Sequence, residues 1–170
     1  MEPKSFRRLV ARATGAQDDE VGALTWGFAW FFFLLLAYYV LRPVRETLGV
    51  ERGPDGLKWL FTATFIGMLV AVPFYSALVA SVGRKRLVPI AYRFFAMNLL
   101  LFWFALRTGG ETRGYAASAF FVWVSVFNLF AVSIFWSFQA DIFSSAQGKR
   151  LFGFIAAGGT LGAVFGSLIT

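Results

Sequence analysis

The chain has 170 residues, 58% of them hydrophobic and 19% aromatic, with 16 Lys or Arg against nine acidic residues and a net charge of +7. Charged residues make up 15% of it, below the roughly one quarter usual in soluble domains, which excludes most soluble enzymes. There is no Cys and no His, so a disulfide framework, thiolate chemistry, the commonest general base and the usual metal ligand are excluded as well.

In chain order, residues 1–20 form a basic segment. Phe6, Leu9, Val10 and Ala13 fall at i, i+3, i+4 and i+7, with Lys4, Arg7, Arg8 and Arg12 largely off that stripe. This is either a short helix lying on an anionic leaflet or a disordered basic tail. Apolar stretches follow, and they predict helices over 24–41, 59–82, 87–106, 115–140 and 151–170. A hydrocarbon core of roughly 30 Å needs about 20 helical residues, so each can span a bilayer. The first exceeds a typical signal-peptide core and no A-x-A cleavage site follows it. The expected fold is all-α and polytopic, with residues 21–170 forming a transmembrane helix bundle and the lipid bilayer as its first partner.

Basic residues between the spans set topology. The N-terminal segment, Arg84–Arg86 and the Lys149–Arg150 pair hold nine of them, against six on the other side: Arg42, Arg45, Arg52, Lys58, Arg107 and Arg113. The positive-inside rule then places the N-terminus in the cytoplasm. The same placement, between spans, argues against nucleic acid as the reason for the high charge.

Several polar positions stand out within or beside the spans. Tyr38, Arg42 and Arg45 lie at i, i+4 and i+7 and share a face if the helix continues through Pro43. They could bind phosphate oxygens or anchor the helix at the headgroups. Arg93 is the single cation inside an otherwise apolar span, which calls for a wet cavity, a partner or snorkelling. Ser125, Asn128, Trp136 and Gln139 fall within an arc of about 80° at 100° per residue, as cavity-lining or interhelical hydrogen-bonding residues would. Pro73 suggests a kink, and Gly27 and Gly67 suggest close packing. No paired carboxylates and no Ser/His/Asp set are present, so the expectation is no enzyme, no catalytic residue, no metal and no cofactor.

Two connecting segments carry motifs. SALVASVGRKR, residues 76–86, resembles the loop signature G-x-x-x-D-R-x-G-R-[RK] of the major facilitator superfamily: Gly83, Arg84 and Lys85 match its end, Arg86 adds a third cation, and Ala80 and Ser81 stand where its Asp and Arg belong. ADIFSSAQGKRLFGFIAAGGTLGAVFG, residues 140–166, is similar to that superfamily's junction between the fourth and fifth helices. Asp141 ends one helix there, Lys149 and Arg150 open the next, and Gly158, Gly162 and Gly166 repeat every four residues for close helix packing. The GKR at 148–150 lacks the earlier Gly and the Ser/Thr of a phosphate-binding loop.

Read in order, AYYVLRPVRETLG, LKWLFTATFIGMLVAVP, VPIAYRFFAMNLL and VFNLFAVSIFWSFQADIFSSAQGKRLFGFIAAGG resemble the bacterial ATP/ADP translocase family, relatives of the major facilitators. The resemblance implies the first five helices of an N-terminal six-helix half, with the substrate site lying against a C-terminal half outside this sequence. It also implies exchange of nucleotides or another anionic solute across a bacterial inner membrane. A basic/acidic cluster at the end of the first helix corresponds by position to Arg42, Arg45 and Glu46. On this reading the chain is part of a longer transporter; the alternative is a non-transporting membrane partner or regulatory subunit that works through helix–helix contacts.

Overall fold

The computed structural model describes residues 11, 12, 14–82, 84–107 and 109–170; the predicted N-terminal stripe and Gly83 lie outside them. Five helices follow one another: α1 Glu20–Val50, α2 Gly53–Val82, α3 Arg84–Arg107, α4 Gly110–Ile142 and α5 Ser145–Ile169, and the described residues include no strand. All five are long and apolar enough to cross a membrane. This is the architecture of a multi-pass helical membrane protein, in which each helix satisfies its own backbone.

The helices overrun the predicted spans. α1 has 31 residues, about 46 Å at 1.5 Å per residue, against a core of roughly 30 Å. It passes through Pro43, and the Thr47 hydroxyl donates to the Pro43 carbonyl at 3.0 Å one turn on. α2 likewise runs through Pro73 and α3 through Pro89. Helices end instead where the backbone must reverse: Gly53 and Gly110, each opening a helix, have φ of 71° and 68°, a region that only glycine enters without strain. α5 starts on a capping box, with the Ser144 N–H donating to Gln147 Oε1 at 2.8 Å and the Gln147 N–H donating back to Ser144 Oγ at 3.4 Å.

The chain divides into two compact units, Met1–Val40 with Phe135–Thr170, and Leu41–Ile134. In the first, α5 runs parallel to α1, because Gly158, Gly162 and Gly166 face Phe28, Phe32 and Leu36 in rising order. A Cβ on Gly158 would sit 2.6 Å from the Phe28 carbonyl oxygen, and one on Gly166 would sit 2.7 Å from that of Leu36. On Gly162 it would collide with the Phe32 carbonyl. The two backbones touch, so a side chain at any of the three would force the helices apart. The end of α4 packs antiparallel to α1, with Phe31 stacked on Phe135 at 4.5 Å. Val21, Leu24, Leu151 and Ile155 complete this core.

The second unit is built around the first part of α4, where Phe120, Phe121, Val124 and Phe127 are buried. Phe95 of α3 meets Phe127 edge-on at 4.8 Å, Phe102 meets Phe120 at 5.3 Å, and Trp123 stacks on Phe127 at 5.3 Å. From α2, Tyr75 packs against Phe130 at 5.2 Å, and Gly67 lies close to Val122. The opposite faces of α2 and α3 expose Phe65, Leu69, Phe94, Met97 and Leu101, residues suited to lipid.

Candidate functional site

Polar side chains in an apolar fold collect in a few places, and the chemistry follows from what each one touches. In the first unit, Glu20 opens α1 as a buried carboxylate. It accepts from the Gln17 N–H at 2.8 Å, from Gln147 Nε2 at 2.8 Å, and from Arg150 Nη2 at 2.9 and 3.2 Å on its two oxygens. Arg150 also donates to the Gly15 carbonyl. Both ends of the Gln147 amide are engaged: its Oε1 accepts the capping bond and its Nε2 donates to Glu20. The residue that caps α5 thus ties it to the start of α1. A buried carboxylate is retained only with such donors.

Farther along the same unit, Gln139 of α4 has 2% exposure, and its Oε1 has no hydrogen-bond partner. It lies against Gly27 of α1 and Ile155 of α5: a Cβ on Gly27 would sit 3.2 Å from Gln139 Oε1 and 3.2 Å from Ile155 Cδ1. Gly27 therefore makes the room that Gln139 occupies. An amide oxygen left unpaired in such a place is costly, by about 1–3 kcal/mol. Trp136, three residues earlier, meets Phe31 at 5.3 Å and Phe152 at 5.4 Å, both edge-on.

In the second unit, Arg45 turns inward, with its side chain 12% exposed. Its guanidinium carbon lies 3.9 Å from the centroid of the Phe121 ring, its Nε donates to the Phe121 carbonyl at 3.2 Å, and its Nη1 donates to Glu46 at 2.6 Å. The stacked ring and the backbone carbonyl fix the guanidinium between α1 and α4. Nearby, Arg52 donates to the Gly114 carbonyl and Arg113 meets the Glu51 carboxylate at 3.4 Å, two further ties from the turn between α1 and α2 to α4.

The sequence-predicted residues are therefore distributed. Tyr38 is half-buried, with its ring edge-on to Tyr39 at 5.4 Å; Arg42 is exposed, whereas Arg45 and Glu46 are held as above. Arg93 is exposed on α3 beside Ile90, Phe94 and Met97, the exposed apolar residues around it. Ser125 donates to its own helix at the Phe121 carbonyl, 3.3 Å away, and Asn128 is half-buried. Arg84 and Lys85 open α3, Arg86 follows as an exposed residue, and Asp141 and Lys149 are exposed on either side of the α4–α5 junction.

Sequence reading missed Glu20 and Gln147. An acidic residue immediately before an apolar span is a signal for a required partner, and Ser144-x-x-Gln147 is a legible capping box; the link between them spans 127 positions and has no local signature. Among the described residues no three acidic side chains gather where a metal ion could sit. No protein-family model matches the chain, and neither a curated protein nor a solved structure does.

Proposed function

We propose that the chain is the N-terminal part of a secondary transporter of the major facilitator type, in a bacterial inner membrane with its N-terminus in the cytoplasm. It moves an anionic solute, and ATP/ADP exchange is what the ordered sequence resemblance implies. The observation that carries this reading is Gln139. A buried amide with an unpaired oxygen, in the last turn of a helix that can span the bilayer, supports it, since a polar group kept inside a membrane bundle without a partner is a candidate for a transport pathway. The double GxxxG contact of α5 on α1 supports it, since close-packed helices move as one rigid element during alternating access.

Arg42, exposed on α1, is a candidate contact for the anion. Arg45 lies on the Phe121 ring and pairs with Glu46, and Arg93 is exposed among apolar residues of α3. Proteoliposomes carrying the full-length parent test this: ATP uptake should require internal ADP. Gln139→Leu and Arg42→Ala should each lower uptake while folded yield stays constant, and Arg93→Ala should leave it near wild type. Unchanged uptake in both Gln139→Leu and Arg42→Ala would remove the site from this half. Orientation is tested separately in a chain without native Cys, where an impermeant thiol reagent on intact cells should label Pro54→Cys and spare Lys85→Cys.

A further inference from the structure

Within the second unit, the C-terminal part of α1, the last two turns of α3 and Phe120 of α4 enclose an open groove of about 450 Å³. Its walls are Leu41, Val44, Leu99, Phe102, Trp103 and Phe120, with Leu100 and Leu106 beside them, and none of these side chains carries a charge. Along α3 it runs from Leu99 to Leu106, about 10 Å at 1.5 Å per residue, enough for several methylenes of an extended chain.

One end of the groove is charged. Arg107, the last residue of α3, holds its guanidinium carbon 4.1 Å from the centroid of the Trp103 ring, and Trp103 is itself part of the groove wall. A guanidinium engaged through its face presents its N–H groups around its edge, the direction in which phosphate oxygens are bound. An aromatic ring and a cation at the end of a spanning helix also belong at headgroup level. The apolar wall and the cation are thus contiguous through one residue, in the order acyl chain, glycerol, phosphate.

We propose that this groove is a binding site for one anionic glycerophospholipid, with an acyl chain along Leu99–Leu106 and its headgroup phosphate on Arg107. The occupant follows from the surroundings. An apolar groove on a membrane-crossing helix is filled from the bilayer, and a cation at its mouth attracts a headgroup of net negative charge more than a neutral one. The site is independent of the transport reading.

The test is native mass spectrometry of the purified chain after incubation in mild detergent with equal amounts of phosphatidylglycerol and phosphatidylcholine. The wild type should retain phosphatidylglycerol in preference. Arg107→Gln should lower its retention about fivefold and lower that of phosphatidylcholine, whose phosphate is offset by its own choline cation, by less. Leu99→Trp, which fills the groove, should lower retention of both, and Lys58→Gln, at an exposed cation elsewhere, should change neither. Glycerol phosphate, which has the headgroup and no chain, should not displace the lipid. Equal retention of the two lipids by the wild type would overturn the proposal, as would phosphatidylglycerol retention insensitive to Arg107→Gln. Loss of a dimer rather than of lipid in Leu99→Trp would assign the groove to a second copy of the chain. Arg107 lies at an exposed helix end, so its variant reads binding even if Leu99→Trp fails to fold.

Discussion

The two units hold their helices together by opposite means. Where α5 meets α1, side chains are removed: Gly158, Gly162 and Gly166 bring backbone against backbone at Phe28, Phe32 and Leu36. Where α3 and α1 meet the first part of α4, side chains are enlarged: Phe95, Phe102, Phe120, Trp123 and Phe127 interlock, and Arg45 lies on Phe121. In lipid there is no hydrophobic driving force between helices, so association relies on van der Waals contact and on hydrogen bonds. Both devices maximise contact, but they fail differently. A glycine seam tolerates no added atom, because the opposing atom is a carbonyl that cannot move aside. An aromatic cluster tolerates added or lost atoms by rotating rings.

That difference sets the order of expected effects. Gly162→Leu should be the most destabilising change in the molecule, about 3 kcal/mol or more, because its Cβ meets the Phe32 backbone and the rest of the side chain has no space. Thermal unfolding in detergent checks it. Gly162→Ala is the sharper probe. Alanine gains about 1 kcal/mol of helix propensity over glycine, so a net loss isolates the backbone collision. A Gly162→Ala chain as stable as wild type would break the comparison, since the seam would then yield as readily as the rings.

Arg45 comes next. Arg45→Ala removes a desolvated cation–π contact and the hydrogen bond to the Phe121 carbonyl, and the unfolding free energy should fall by about 2 kcal/mol. Arg45→Lys should recover less than half of that loss, because an ammonium cannot lie flat on the ring while donating to the carbonyl. Full recovery with Lys would reduce the contact to charge alone.

The same two regions show what the sequence made legible. Five spans could be read because each exceeds the length a bilayer requires, and the glycines at i, i+4 and i+8 declared one face of α5. The ends of α1 could not be read from apolar pattern, because residues 42–50 are polar or mixed and stay helical through Pro43. Tyr38, Arg42 and Arg45 share a helical spacing, yet Tyr38 is half-buried, Arg42 is exposed and Arg45 turns onto the Phe121 ring. Packing against Phe121, 76 positions away, separates it from Arg42. On α4 the spacing of Ser125, Asn128, Trp136 and Gln139 is a real regularity of the helix. What each side chain does was set by its neighbours: Ser125 turns to its own backbone, Asn128 is half-buried, Trp136 joins an aromatic cluster, and Gln139 keeps a fully buried, unpaired oxygen.

The polar tie at the start of the glycine seam should contribute less than the seam itself. Arg150 is 41% exposed, so solvent screens its pairing with Glu20, and a double-mutant cycle of Glu20→Gln with Arg150→Gln should give only a small coupling. Gln147→Leu should exceed that pair term, because it removes the capping bond and the Glu20 bond together and leaves a buried carboxylate short of a donor. If Gln147→Leu costs less than the pair coupling, the cap and the tie are independent, and the start of α5 is held by charge alone.

The smallest effect on stability is expected at Gln139, and it separates packing from function. Its Oε1 already lacks a partner, so Gln139→Leu removes an unsatisfied polar atom and fills nearly the same space between Gly27 and Ile155. Replacing such a group by an apolar one of similar shape is close to neutral or stabilising, and the unfolding midpoint should stay level or rise slightly. A glutamine serving as interhelical glue would behave in the opposite way, and its loss would cost stability by about 0.6 kcal/mol, the average for hydrogen bonds between membrane helices. The sign of the change in thermal unfolding therefore decides the role. A rise places Gln139 among residues kept despite their cost, as a transport pathway requires, and a fall makes it one more contact holding α4 to α1 and α5.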